Sequence, residues 1–256
     1  CYYRDQQLEK SVQDLVTKFE IDMSTEGKVF VGMDTRKSSP ILCEALIAGI
    51  NAAGGTCKDF GLLTTPQLHY IIRCTNTNGQ YGQPTEQGYY NKLATAYLRL
   101  SELIGHSASY TPHVVVDGAN GVGALQLEKF AALLNGKLTF DIVHDPNGVL
   151  NYQCGADYVK VNQREPHSLQ LKPDQRYVSF DGDADRIIYY YQNAKDGKFH
   201  MLDGDKIAVL VAKYLKETLL KAELGDIQVS IVQTAYANGS STIYMRDVLH
   251  MDTFCV

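Results

Sequence analysis

Short apolar runs alternate along the chain with segments whose apolar residues recur every three or four positions. Val29-Phe30-Val31-Gly32 reads as a buried strand. Ser38-Ser39-Pro40 then supplies a helix cap and a proline suited to the first helical turn. Behind it, Ile41, Ala45, Gly49 and Ala53 share one helical row, and Leu42, Leu46 and Ile50 the next. Gly54-Gly55 ends that helix, Thr56 to Phe60 reads as a second strand, and Thr64-Thr65-Pro66 opens another helix. Upstream, residues 4–20 predict a helix with Leu8, Val12, Leu15 and Phe19 facing inward.

The polar stretch from Asn76 to Thr85 reads as a boundary. A helix over 89–104, a strand over 113–117, a helix over 123–134 and a strand over 138–143 follow, with Asp145-Pro146-Asn147-Gly148 as a turn. Two β-rich runs, Tyr177 to Phe180 and Ile187 to Tyr191, flank an acidic hexapeptide. A helix over 205–220, a strand over 228–233, a helix over 240–249 and a strand from Thr253 close the pattern. The recurring strand–helix alternation predicts several similar α/β domains with mixed, mainly parallel sheets between helical layers. Crossovers between their parallel strands should be right-handed.

Composition narrows the function. The chain has 256 residues, 45% of them hydrophobic and 21% charged, with a net charge of −5. That is ordinary globular usage with no basic block, so a nucleic-acid partner is not expected. No apolar run approaches the roughly 20 residues of a membrane span, and no apolar leader core opens the chain, so neither membrane nor secretion is expected. The six cysteines show no CxxC or zinc spacing and read as reduced thiols of a cytosolic protein.

Asp181-Gly182-Asp183-Ala184-Asp185-Arg186 carries the strongest chemical signal. Two charges about 4 Å apart repel by roughly 4 kcal/mol at an effective dielectric of 20, and three converging carboxylates make three such pairs. A hard divalent cation removes that cost, and oxygen donors of this kind suit Mg²⁺. Gly182 and Ala184 are small enough for a tight loop, and Arg186 offers a planar fork suited to phosphate. The competing reading is a solvated acidic turn. An EF-hand is excluded, because its sixth and twelfth positions would be Arg186 and Gln192 rather than Gly and Glu.

Ser179 to Arg186 resembles the metal loop of the α-D-phosphohexomutase superfamily. Further stretches resemble its acetylglucosamine branch: Gly32 to Arg36 with Ser38-Ser39, Asp59 to Tyr70, Val116 to Leu125, Cys154-Gly155-Ala156-Asp157, Leu202 to Ala208 and Val232 to Ser241. The resemblance implies interconversion of N-acetylglucosamine 6-phosphate and 1-phosphate through a phosphoserine and a bisphosphorylated sugar. It implies Mg²⁺ on Asp181, Asp183 and Asp185, and Arg186 in contact with the transferring phosphoryl group. It also implies a division into 1–76 (end of a first domain), 77–192 (a second domain ending in the metal loop) and 193–256 (part of a third).

The departures are specific. No Thr-Ala-Ser-His-Asn-Pro-type nucleophile loop occurs, and Ser107-Ala108-Ser109-Tyr110 is no substitute. Loops of the Glu-Ala-Asn-Gly-His and Arg-Pro-Ser-Gly-Thr types are also lacking. Both ends read as cut, so the residues are expected to lack mutase activity by themselves. The alternatives are a mutase for glucose, mannose or glucosamine phosphate, and a shortened, non-catalytic Mg²⁺-binding or interaction product. An Asp-x-Asp phosphatase is disfavoured, because Asp185 stands where such enzymes carry Thr or Val.

Asp34 and Arg36 follow a strand end, where α/β folds place ligands, but read better as an ion pair ordering the first unit. Gly118, Gly121 and Gly123 have the order G-x-x-G-x-G, which fails the dinucleotide fingerprint and suggests a tight strand-to-helix turn. The seven histidines, at 69, 106, 113, 144, 167, 200 and 250, form no paired ligand motif. Tyr189-Tyr190-Tyr191 should place alternate rings on opposite faces of a strand.

Overall fold

The structure, a computed structural model, describes residues 2–105 and 111–256. Cys1, His106 and the Ser107–Tyr110 stretch lie outside the described residues. The chain forms two compact units, residues 1–33 with 37–62, and residues 34–36 with 63–256.

In the first unit, α1 (Tyr2–Lys18) precedes β1 (Lys28–Met33), α2 (Ser39–Ala52) and β2 (Thr56–Leu62). The two strands pair in parallel, Lys28 opposite Thr56, and Phe30 meets Phe60 with ring centroids 5.2 Å apart. Gly54, at φ +78, turns the chain out of α2 as anticipated. Three expectations are corrected here. Ser38 occupies the cap position but makes no side-chain capping bond, because its backbone is already helical (φ −80, ψ −18). The row Leu8, Val12, Leu15 and Phe19 is exposed, Leu8 to 66% and Phe19 to 63%. On α2, Ile41, Leu42 and Leu46 are exposed as well. The covered stripe is Cys43, Ile47 and Ile50, so of the two expected rows only Ile50 is covered, because a two-stranded sheet covers only a narrow strip of helix.

In the second unit, α3 (Thr65–Asn76) starts with a capping box between Thr64 and Gln67. It packs with α4 (Glu86–Ile104) and α5 (Val122–Ala131), which continues as a 3₁₀ turn over Ala132–Leu134. A buried polar network joins the three helices. Gln67 Nε2 donates to Tyr90 Oη at 3.0 Å and to Gln126 Oε1 at 3.2 Å, and Tyr90 Oη donates to Glu86 at 2.7 Å. Burial, reinforced by Glu86, pushes the Tyr90 phenol above its ordinary value.

The main sheet contains β3 (His113–Asp117), β4 (Thr139–Val143), β5 (Tyr177–Phe180), β6 (Ile187–Gln192) and β7 (Phe199–Leu202), in the order β4-β3-β5-β6-β7. β3 runs parallel to β4 and β5, and β6 and β7 are antiparallel, so the sheet is mixed. Its core joins Val115, Val159, Tyr177, Ile188 and Tyr190, Val159 coming from α6 (Ala156–Asn162). Tyr190 stacks on Tyr177 at 5.6 Å, while Tyr189 and Tyr191 face each other on the opposite side, the alternation expected of a strand.

Beyond the sheet, α7 (Gly204–Lys221) begins at an Asp203 cap whose carboxylate accepts from Lys206 N. β8 (Ile231–Gln233) pairs in parallel with β9 (Thr253–Cys255). Between them α8 (Gly239–Ile243) runs into a π-helical turn over Tyr244–Val248. Ala212, Met245, Leu249 and Met251 form the core there. Among the described residues no helix is long and apolar enough to cross a membrane.

Candidate metal centre

β3 and β5 run side by side, Asp117 opposite Ser179, so the segments leaving their carboxyl ends lie together. After β3 comes the glycine-rich turn 118–121, and after β5 comes the acidic loop. Such carboxyl-end crevices are where α/β sheets place ligands. The loop is seated by close backbone packing. A Cβ on Gly121 would lie 2.3 Å from the Gly182 carbonyl oxygen, and one on Gly123 would lie 2.8 Å from the Ala184 methyl. Val122 N donates to Gly182 O at 3.2 Å. The glycine order that failed as a dinucleotide fingerprint is thus a bed for the acidic loop.

Asp117 anchors the bed. It is fully buried, and its Oδ1 accepts from Ala119 N at 3.0 Å. Its Oδ2 accepts from Gly155 N and from Ser179 Oγ, each at 2.7 Å. His144 Nδ1 lies 2.8 Å from Asp117 Oδ1, and its Nε2 lies 2.6 Å from Ser168 Oγ. Cys154 joins Asp117 and His144 in a cluster of donor atoms. The engaged carboxylate and imidazole make this a structural knot rather than a metal site.

The loop itself gathers Asp181, Asp183 and Asp185, whose carboxylate oxygens lie within 4.8 Å of one another. Asp181 is buried, Asp183 half-buried and Asp185 exposed, so the triplet opens from the sheet edge toward solvent. Asp181 Oδ1 accepts from the backbone N of Asp185 and of Arg186, both at 3.1 Å. The sharp turn this needs places Ala184 at φ +59. An all-oxygen set of three carboxylates fits a hard divalent cation and lacks the softer donors that zinc and copper prefer.

Two arginines bracket the triplet. Arg186 Nε donates to Asp181 Oδ2 at 2.9 Å, and both of its Nη atoms donate to Asp157, Nη2 at 2.9 Å. The hydrogen bond to Asp157, ahead of that to Asp181, holds its guanidinium still further above its usual value. Arg36 Nη2 donates to Asp183 Oδ2 at 3.0 Å, and Arg36 Nη1 lies 2.6 Å from Asp34. The structure therefore brings together all four residues singled out by the loop pattern. It adds Arg36, read from sequence as an ion pair of the first unit, and Asp157, to which no role was given. A cleft of about 340 Å³ adjoins Arg186, lined also by Asp157, Lys160, Asp205, Thr234 and Tyr236. Lys160 carried no signal in the sequence, since it stands in no spacing that implies chemistry, and Thr234 was marked only as part of the Val232 to Ser241 stretch, with no role of its own.

A mixed α/β sheet with an aspartate-arginine loop at its carboxyl edge defines the class of the α-D-phosphohexomutases. Family models match in consecutive order: phosphoglucomutase/phosphomannomutase α/β/α domain I over residues 5–81, phosphoacetylglucosamine mutase AMG1 domain II over 81–188, and AMG1 domain III over 203–256. Relatives named phosphoacetylglucosamine mutase include proteins of Sus scrofa, 46% identical over 98% of this chain, and Saccharomyces cerevisiae, 39% identical over 93%. A solved Aspergillus fumigatus N-acetylphosphoglucosamine mutase, in complex with GlcNAc-6P and magnesium, is 40% identical over 95% of the chain, with a TM-score of 0.82. The chain belongs to the phosphoacetylglucosamine mutase family. It spans 46% of the Sus scrofa relative and 46% of the Aspergillus chain, about half the length of each.

Proposed function

We propose that residues 1–256 provide the metal-binding part of a phosphoacetylglucosamine mutase, acting on N-acetylglucosamine 6-phosphate and 1-phosphate in the cytoplasm. The observation that carries the reading is the triplet Asp181, Asp183 and Asp185, gathered within 4.8 Å beside Arg186. These carboxylates would hold Mg²⁺, which supplies charge stabilisation to a transferring phosphoryl group. Arg186, ordered by Asp157 and Asp181 beside the triplet, supplies a fixed positive charge suited to phosphoryl oxygens. The Aspergillus relative solved with GlcNAc-6P and magnesium supports both the sugar and the ion. The domain reading, 1–76, 77–192 and 193–256, is supported by the order of the three matched family models. The chain holds no Ser-His-Asn-Pro segment, so in this reading it carries the metal side of the chemistry and not the serine nucleophile.

A chimera tests the reading in a protein of full family length. Residues 81–188 replace their counterparts in the Saccharomyces cerevisiae relative, and conversion of N-acetylglucosamine 6-phosphate to the 1-phosphate is measured. The chimera is expected to turn over, and Asp183→Asn within it to lose at least about 100-fold in kcat, the scale of a lost transition-state charge contact. Undiminished turnover in that variant would refute the assignment.

A further inference from the structure

Arg36 stands 147 positions from Asp183 in sequence, yet its Nη2 donates to Asp183 Oδ2 at 3.0 Å. Its other arm is fixed, with Nη1 2.6 Å from Asp34 Oδ2. Asp34 Oδ1 also accepts the backbone N–H of Arg36 at 2.9 Å, so both ends of the arginine are tied to one carboxylate. Residues 34–36 group with the second compact unit, while β1 just before them groups with the first. The contact thus belongs to the same unit as the aspartate loop. Of the three loop aspartates, Asp181 has two backbone donors and Arg186 to orient it. Arg36 is the side chain that orients Asp183.

We propose that Arg36, held by Asp34, is a positioning residue for the cation site: it turns the Asp183 carboxylate so that Oδ1 faces the metal position. The inference rests on the metal reading given above. A guanidinium can act in two ways here, and they have opposite signs. Its positive charge opposes a cation. Its fork fixes the ligand, and removing the hydrogen-bond partner of a ligating carboxylate typically costs 10- to 100-fold in metal affinity. Arg36 is about half exposed, which screens the charge more than it loosens the two-armed geometry. Orientation therefore outweighs repulsion.

The test is Mn²⁺ binding to the 256-residue chain, followed by loss of the free-ion electron paramagnetic resonance signal, with far-ultraviolet circular dichroism to confirm that each variant is folded. Arg36→Lys keeps the charge and loses the fork. Asp34→Asn keeps Arg36 and loosens its anchor. Each is expected to raise the Mn²⁺ dissociation constant about tenfold, and the double variant no further than the worse single one, because the pair acts as a unit. Saturable binding that Arg36→Lys leaves unchanged, or that Arg36→Gln tightens, would overturn the positioning role and leave the metal site standing. Absence of saturable binding in the parent chain would overturn both.

Discussion

Ala184 adopts φ +59 at the apex of the acidic loop, a conformation that alanine tolerates poorly and bulkier side chains worse. Its methyl faces Gly123, so there is no room for more. Alternating carboxylates separated by small residues are a purely local pattern, which is why Asp181, Asp183, Asp185 and Arg186 could be read from the sequence. Arg36 was visible as a charged residue at a strand end, but nothing local encodes a partner 147 positions away. Cys154 illustrates the same limit. Its spacing marks it only as an unpaired thiol, whereas the fold buries it beside Asp117. Burial first, and the Asp117 charge second, push its thiol up to about 12 from an ordinary 9.0. The folded chain therefore keeps this proton to higher pH than the unfolded chain. The stability that this contributes is fully present below about pH 9 and is lost as pH rises toward 12. At pH 8 a thiolate-directed reagent is expected to label the exposed Cys255 and spare Cys154 until the chain is unfolded. Mass-spectrometric mapping that finds Cys154 modified rapidly in the native chain would contradict this environment.

At the scale of elements, the site depends on two segments packed backbone to backbone. The 118–121 turn carries the acidic loop because Gly121 has no side chain where Gly182 approaches. Gly121→Ala would place a methyl against a backbone carbonyl, which neither rotamer change nor a flexible neighbour can relieve. A cost of about 1–3 kcal/mol is expected from overpacking, read as a lower urea midpoint with an unchanged slope. Mn²⁺ affinity is expected to fall with it, since the loop must shift to admit the methyl. An unchanged midpoint would show that the bed is not close-packed. Most elements were legible because β-rich runs bounded by glycine, proline and asparagine clusters are unambiguous: the strand expected over 113–117 is β3 residue for residue. α6 was not legible. It has seven residues, and its cap is Gly155 at φ +86, with no Ser, Thr, Asn or Asp to announce it. β7 escaped for a related reason, being four half-buried residues without alternation. The helical rows of α1 and α2 were recognised, but periodicity names an apolar face without saying what covers it.

At the scale of the whole molecule, the strand order β4-β3-β5-β6-β7 is what turns separate signals into one site. Parallel pairing of β3 with β5 puts the glycine bed beside the acidic loop, and α6, packed on β5 and β6, brings Asp157 to Arg186. The consecutive family matches fit that plan, and the sequence alone already pointed to the same superfamily through its motifs. What the motifs could not supply is the three-dimensional closure of the aspartate triplet by two arginines, each tied back to a second carboxylate. The central claim is that this triplet is a cation site. Titration calorimetry of Mg²⁺ into the 256-residue chain tests it most directly. One site is expected, lost in Asp181→Asn and in Asp183→Asn while circular dichroism stays unchanged. Binding that survives both substitutions, or no binding in the parent chain, would contradict it.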